Sequence, residues 1–231
     1  MTEVERARVA AALPSEIRRA APPEGDRHRI PKTRALEVLG EYYRRIGRRI
    51  YLSSELPVFY PDERVFAPDL IALLDVDPHE RDKWVTATEG KGLDLALEVT
   101  HGGDSRKDLE PNVTRYARLG IPEYFILDAR SPRLMGYRLH GQAYEAIVPQ
   151  GGRWASRVLG LDLALEGRRV RFFAGSAPLL EATELIVRLE AMMEELTTWK
   201  DEAERAKDEL ERKNERLAQR LRELAVDPDE V

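Results

Sequence analysis

The chain has 231 residues, of which 42% are hydrophobic and 34% charged, with a net charge of −5; this composition supports a folded domain with an extension and excludes wholesale disorder. It contains no cysteine, which excludes disulfides, cysteine-ligated zinc, iron–sulfur clusters and a cysteine nucleophile. No apolar run approaches the roughly 20 residues of a membrane helix and the charged start is unlike a signal peptide, so we expect a cytoplasmic protein without a membrane partner.

The N-terminal third begins irregularly and continues as a helix. Residues 1–31 combine prolines with scattered charges, which indicates a short helix or a mobile arm. Apolar residues then recur at helical spacing, between a possible cap at Thr33 and a glycine stop at Gly47: Leu36, Leu39, Tyr43 and Ile46. Arginines at the far end of this helix could contact a nucleic-acid backbone, or could simply form an exposed helix end that favours cations: Arg44, Arg45, Arg48 and Arg49.

The middle of the chain alternates strand and helix patterns. Strands are predicted at 50–60, 65–76, 93–100 and 123–129, with a polar loop over 77–92. A helix is predicted from about Ser105 to Leu119, with Pro111 tolerated if it falls in the first turn. Short strands in a meander of hairpins follow up to residue 177. This order predicts a domain of the α/β class.

A heptad pattern begins after Pro178. Apolar residues alternate at three and four: Ala182, Leu185, Leu189, Met192, Leu196, Trp199, Ala203, Ala206, Leu210, Leu217 and Leu224. Lys213 and Arg220 interrupt this register, and the remaining positions are mostly charged. The pattern favours an intermolecular coiled coil, forming a homodimer or a heteromer, over a helix packed on its own domain, because the apolar stripe is narrow and the helix long.

Four acidic residues lie on or beside the predicted strands, namely Glu55, Asp69, Glu98 and Asp128. A buried carboxylate is costly unless it is paired or binds a metal. Asp69 leads into one apolar run and Glu98 lies within another, so neighbouring strands would bring both to one divalent cation such as Mg²⁺ or Mn²⁺. The alternative is a pair of salt-bridged structural residues. After Glu98, a glycine-containing turn at residues 101–105 leads to the basic pair Arg106-Lys107, which could touch phosphate or simply start a helix.

These residues together resemble a known family. The string YARLGIPEYFILD at 116–128, with Pro68-Asp69, Leu97-Glu98-Val99 and Asp108 before it, is similar to the bacterial Uma-type restriction endonuclease family, a branch of the PD-(D/E)XK nuclease superfamily. The resemblance covers roughly residues 33–145. It implies a restriction-endonuclease-like core, with a mixed central sheet flanked by helices, in which Asp69 and Glu98 are metal ligands and catalytic residues.

The third catalytic member is where the chain departs from that pattern. The superfamily places a lysine two residues after the second acid, where Thr100 stands, and the related family places it later, where Asn112 stands. Lys107 is the nearest amine, and the resemblance makes it the candidate catalytic lysine. Two interpretations stay open: an active nuclease with a displaced lysine, or a degenerate copy that keeps the fold without the reaction.

The resemblance implies a Mg²⁺- or Mn²⁺-dependent endonuclease that hydrolyses phosphodiester bonds of DNA. The competing hypothesis is a non-catalytic interaction module that assembles through its coiled coil. We divide the chain accordingly into an arm (1–31), an endonuclease-like domain (32–177), a coiled-coil helix (178–226) and a tail (227–231).

Overall fold

The computed structural model describes residues 2–15, 25–100 and 105–223, and the backbone alone for residues 105–110. The helices are α1 (Glu3–Ala12), α2 (Asp26–Arg45), α3 (Thr86–Glu89), α4 (Ser105–Arg118) and α5 (Ala182–Glu223). The strands are β1 (Ile50–Ser53), β2 (Val58–Phe59), β3 (Leu70–Leu74), β4 (Trp84–Val85), β5 (Leu95–Thr100), β6 (Glu123–Asp128), β7 (Arg133–His140), β8 (Ala143–Ala146), β9 (Arg153–Ser156), β10 (Leu161–Glu166), β11 (Arg169–Ala174) and β12 (Ala177–Pro178). The chain divides into two compact units, residues 1–181 and residues 182–231.

A six-stranded mixed sheet in the order β1-β3-β5-β6-β7-β8 forms the centre of the first unit. Only β5 and β6 run parallel, and α4 makes the crossover between them; the other pairs are antiparallel. The predicted mixed sheet with flanking helices is thereby confirmed. Strands β5 and β6 read as nearly continuous apolar runs because both of their faces are covered, as parallel strands require.

Two apolar clusters cover the two faces of this sheet. The first joins α2 to alternate sheet residues and to the β9–β12 sheet, with Leu39, Leu97 and Phe172 among its members. The second joins the opposite face to α4 and to the β2–β4 pair, with Trp84 and Tyr116 fully buried. The alternation of side chains along each strand therefore assigns one helix to each face.

Helix α2 begins earlier than the sequence pattern predicted. It starts at Asp26 with Gly25 as its N-cap, so Pro31 lies inside it and Thr33 is an interior residue whose hydroxyl donates to the Arg29 carbonyl at 3.2 Å. Proline favours the first turn of a helix, which is why the pattern placed the start too late. Packing of the apolar stripe of α2 on the sheet outweighs the hydrogen bond that Pro31 cannot donate.

The polar stretch 77–92, predicted as a loop, also contains regular structure. It includes β4 and α3, and β4 pairs in parallel with β2. The side chain of Trp84 is fully buried and donates from Nε1 to the Lys91 carbonyl at 2.9 Å. One aromatic anchor thus orders a segment whose average composition is typical of a loop.

Glu123, the glutamate of the IPEYF string, is a structural residue. It is 1% exposed and accepts hydrogen bonds from Arg138 Nε at 3.0 Å and from the Arg157 backbone N–H at 2.8 Å, and it also accepts from the Ser156 hydroxyl. These bonds tie the central sheet to strand β9 and the turn after it. A buried carboxylate satisfied in this way is difficult to replace.

Replacing Glu123 by alanine is expected to lower the free energy of unfolding by about 3–5 kcal/mol, because Arg138 is left without its carboxylate and the Ser156 hydroxyl without its acceptor. Urea denaturation measures the change. Glu145→Ala is a matched control at an exposed position (73% side-chain exposure) and should change stability by less than about 0.5 kcal/mol. Equal stabilities for the two variants would contradict the structural role of Glu123.

The second unit is dominated by α5. This helix has 42 residues and no buried residue, and it carries large apolar side chains that are more than half exposed: Ile186, Val187, Leu189, Met192, Met193, Leu196, Trp199, Leu210 and Leu217. The long helix was predicted, and its pairing with another chain remains a prediction. Across the described ranges, none of the helices has the length and hydropathy needed to cross a bilayer.

Candidate metal centre

Asp69 and Glu98 meet at one end of the sheet. Strands β3 and β5 are antiparallel neighbours with Leu70 opposite Leu97, so Asp69, just before β3, comes beside Glu98. The Asp69 backbone N–H donates to Glu98 Oε2 at 3.2 Å, and the Val99 N–H donates to Asp69 Oδ2 at 2.8 Å. The predicted adjacency of these two strands is confirmed, and the register brings both carboxyl groups to one place.

Helix α2 supplies two basic side chains to the same place. His28 Nε2 lies 3.0 Å from Asp69 Oδ2, and Lys32 Nζ lies 3.6 Å from Asp69 Oδ1. Lys32 also forms an ion pair with the Glu55 carboxylate, and it is only 3% exposed. An ammonium group this deeply buried needs carboxylates around it, and Glu55 and Asp69 provide them.

Glu55 reaches this cluster from a strained turn after β1. Its backbone φ is +59°, in the left-handed region that costs a residue with a Cβ roughly 1–2 kcal/mol. The turn is held by the Glu55 N–H, which donates to the Pro68 carbonyl at 3.0 Å, and by the Ser54 hydroxyl, which donates to the Asp69 carbonyl at 2.8 Å. The turn thereby places the Glu55 carboxylate against Lys32.

The two acids at the centre have opposite electrostatic environments. Burial raises the pKa of Asp69, but hydrogen bonds from His28 and the Val99 N–H, together with the charge of Lys32, bring the pKa below its usual value. Burial and the nearby Asp69 carboxylate raise the pKa of Glu98 to about 8, against the opposing effect of the hydrogen bond from Tyr116. Glu98 is therefore mostly protonated at neutral pH without a cation, whereas Asp69 is ionised.

The donor set fits a divalent cation. Ligand atoms of His28, Glu55 and Asp69 all lie within 4.8 Å of one another, so one ion could contact all three. Two carboxylates suit Mg²⁺ or Mn²⁺, and the imidazole favours the softer Mn²⁺ over Mg²⁺. Glu98 adjoins the group through Asp69, and its raised pKa marks a position where a positive charge would be stabilising.

Other predicted candidates lie outside this cluster or outside the described residues. Asp128 ends β6 and accepts hydrogen bonds from the backbone N–H groups of Arg130 and Ser131 at 2.9 and 3.1 Å, so it caps a turn. Lys107 lies on α4, but its side chain is outside the described residues, as is the turn at 101–104. The catalytic role of Lys107 therefore stays a prediction.

Three arginines at the end of α2 and just after it, Arg44, Arg45 and Arg48, have partners within the chain. Arg44 and Arg45 both pair with Glu41, and the hydrogen bond from Arg44 is the largest of the effects that lower the pKa of Glu41 to about 2. Arg48 pairs with Asp75 through two hydrogen bonds of 2.9 and 3.0 Å. These contacts favour the interpretation of a charged helix end over that of a dedicated DNA contact.

Sequence reasoning missed His28 and Lys32, although one signal pointed to them. The buried face of α2 consists of Lys32, Ala35, Val38, Leu39 and Tyr43. A lysine in register with an apolar stripe is unusual and calls for a buried acidic partner. His28 lies one turn before Lys32 on the same face. Because the sequence pattern placed the start of α2 at Thr33, His28 and Lys32 were not recognised as residues of the same helix.

Comparison with known proteins gives a match to a family model over most of the chain. The sequence model of a family described as "Uma2: Putative restriction endonuclease" matches residues 4–167, more than half of the chain. A solved structure of a putative nuclease belonging to DUF820 from Anabaena variabilis aligns with a TM-score of 0.44 at 16% identity, over 58% of this chain and 77% of the other. No curated protein matches the chain.

Proposed function

Because the chain belongs to the Uma2 family, described as putative restriction endonucleases, we propose that it is a divalent-metal-dependent endonuclease that hydrolyses phosphodiester bonds of DNA. The observation that carries the proposal is the convergence of Glu55, Asp69 and Glu98 with a buried lysine, Lys32, at one end of the central sheet. Cytoplasmic action on DNA is part of the proposal, and the absence of cysteine is compatible with it.

Asp69, Glu98 and Glu55 are proposed to hold the cation, with His28 as a further ligand. A bound divalent cation would supply Lewis-acid activation of water and stabilisation of the charge that develops on the attacked phosphate. Asp69 is ready for this role because it is already ionised. The His28 Nε2 atom lies 3.0 Å from Asp69 Oδ2. A ring nitrogen of His28 would bind the ion in place of this hydrogen bond.

Lys32 is proposed to take the part for which the sequence offered Lys107. Its ammonium group contacts two of the proposed ligands, Glu55 and Asp69, and the residue is only 3% exposed. From that position it can orient a water molecule by hydrogen bonding and stabilise negative charge on a non-bridging phosphate oxygen. Lys107, on the first turns of α4, remains the alternative donor.

The direct test is cleavage of supercoiled plasmid by the full-length protein with Mg²⁺, with Mn²⁺ and with a chelator. Cleavage that requires the metal, and that is faster with Mn²⁺ than with Mg²⁺, is expected from the imidazole in the ligand set. The absence of cleavage with either metal, combined with the absence of metal uptake in calorimetry, would overturn the proposal.

The affinity for Mn²⁺ is expected to rise with pH until about pH 8. Glu98 must lose its proton to bind a cation, and its pKa is raised to about 8, so each unit of pH below that value should weaken binding by up to about tenfold. Calorimetry in buffers of different ionisation enthalpy should detect the released proton. Glu98→Gln should remove this proton release, and an unchanged pH dependence in that variant would exclude Glu98 as the titrating ligand.

The same pKa predicts how pH affects stability without metal. Between about 4.5 and 8 the folded protein holds a proton on Glu98 that the unfolded chain has released. The free energy of unfolding should therefore fall as pH rises through this window. In Glu98→Gln this decrease in the free energy of unfolding should disappear. Urea denaturation at pH 6 and pH 8 in the presence of a chelator measures it.

A second candidate function is a non-catalytic interaction module. The ion pairs of Lys32 with Glu55 and Asp69 favour it, because the ammonium group balances the carboxylate charge without any metal ion. Thr100 and Asn112 also stand where lysines are expected. In this case calorimetry should detect no uptake of Mg²⁺ or Mn²⁺, and assembly through α5 with a second copy or another protein would be the main activity.

A further inference from the structure

The exposed apolar stripe of α5 is a surface of definite pattern. We call the heptad positions from Leu185 to Leu217 the seam. From Leu189 onward its large side chains are more than half exposed in the single chain, including Leu196 and Trp199, which is 71% exposed. A contiguous apolar stripe of this length on a solvent-exposed helix marks a site of association. The charges that flank this stripe indicate which partner binds it and how the two helices are oriented.

We propose that α5 pairs in parallel and in register with α5 of a second copy of this chain. Like residues then meet along the seam, so that Leu189, Leu196 and Leu210 each pack against their counterparts. Ala203 and Ala206 leave space beside Trp199, whose large ring would otherwise be difficult to accommodate. This inference does not depend on the proposed nuclease activity.

Charges beside the seam support the parallel orientation. Each heptad has two seam positions, and the first of them is occupied by residues such as Leu196 and Ala203. In a parallel pair, the residue directly before this first position faces the residue five places further along in the other chain. Glu195 of one copy then faces Lys200 of the other, and Glu202 faces Lys207. Symmetry doubles both pairs, which gives four attractive contacts, and the pairing brings no like charges into contact at the other flanking positions. Within the single chain these lysines lie 3.9 and 3.8 Å from Glu204 and Glu211, respectively, on the same helix.

The antiparallel alternative brings like charges together. When two antiparallel helices overlap fully, the residues directly before the first seam position of each heptad face one another. Glu195 then lies opposite Glu209, Glu202 opposite Glu202, and Arg188 opposite Arg216. Sliding the helices by one heptad in either direction still leaves Glu202 opposite Glu195 or Glu209. Like charges at such positions disfavour a pairing, so the pattern selects against the antiparallel dimer.

The seam is weaker at its far end. Lys213 occupies a seam position and Arg220 the next heptad position after the seam, and each would face its counterpart in a parallel dimer. The apolar contacts are therefore concentrated before residue 211. Because residues 2–181 precede α5 in the chain, a parallel pair connects both first units to the same end of the coiled coil.

Cysteine cross-linking tests the orientation directly, because the natural chain has no cysteine. Met192→Cys and Leu210→Cys lie about 27 Å apart along the helix, and these two seam positions lie opposite each other in the fully overlapped antiparallel pair. In a parallel, in-register dimer each full-length variant should form a disulfide with itself on oxidation. Cross-linking that occurs only when the two variants are mixed would show an antiparallel pair and overturn the proposal, as would a monomeric natural chain in sedimentation at tens of micromolar.

A charge exchange tests the contacts themselves. The double variant Lys200→Glu/Lys207→Glu should weaken self-association of the full chain by at least about tenfold. Mixing it with Glu195→Lys/Glu202→Lys should restore association as a heterodimer. Arg205→Glu/Arg212→Glu makes the same change of charge on the outer face of α5 and should dimerise like the natural chain. Equal dimerisation of all these variants would overturn the proposed pairing of glutamate with lysine.

Discussion

Replacing Asp69 by asparagine is expected to reduce metal-dependent plasmid cleavage by about 10³-fold or more. The amide keeps an oxygen that can accept the Val99 N–H, so the turn into β3 should be preserved. The variant loses the ionised carboxylate at the centre of the site, which contacts His28 and Lys32 and adjoins Glu98. Cleavage rates and calorimetric Mn²⁺ uptake should fall together.

Asp128→Asn is the matched control for this variant. Asp128 also lies at the end of a strand of the central sheet, but its carboxylate caps a turn through two backbone N–H groups, which an asparagine oxygen can also accept. It should cleave and bind Mn²⁺ like the natural protein. If Asp69→Asn retains full cleavage while it remains folded by circular dichroism, the metal centre lies elsewhere.

Replacing Lys32 by methionine is expected to lower the cleavage rate by about 10²–10³-fold without weakening the uptake of Mn²⁺. Methionine keeps most of the apolar stem but removes the charge that now balances Glu55 and Asp69. Because that ammonium competes with a cation for the same carboxylates, the affinity for Mn²⁺ should stay constant or increase. A fall in rate at constant metal affinity separates a catalytic lysine from a structural one.

The variant Lys107→Met distinguishes the two candidate lysines. If Lys32 supplies the catalytic amine, Lys107→Met should retain most of the activity. If the sequence-based assignment is right, the effects reverse, and Lys107→Met loses cleavage while Lys32→Met keeps it. Both variants should be compared at saturating Mn²⁺, because a filled metal site also offsets the uncompensated carboxylates that the loss of Lys32 leaves behind.

Much of the architecture could be predicted from local pattern. The apolar runs of β5 and β6, the helix between them and the heptads of α5 all have periods that identify their structure. Two predictions of structure failed where tertiary contacts outweighed local preference. Helix α2 continues through Pro31 because its apolar face packs on the sheet, and Trp84 orders a polar stretch by being buried.

The sequence by itself determined the apolar strands β5 and β6, the helix between them and the charged heptad helix, because each follows from the spacing of side chains along one segment. The adjacency of Asp69 and Glu98 was implied by the family resemblance, and it depends on the pairing of β3 with β5. Only the tertiary structure decided which cations face those acids. His28 and Lys32 come from a helix some forty residues before Asp69, and Glu55 reaches the same place through a left-handed turn. Protonation of Glu98 likewise depends on burial and on the field of Asp69, and these arise from packing rather than from local sequence.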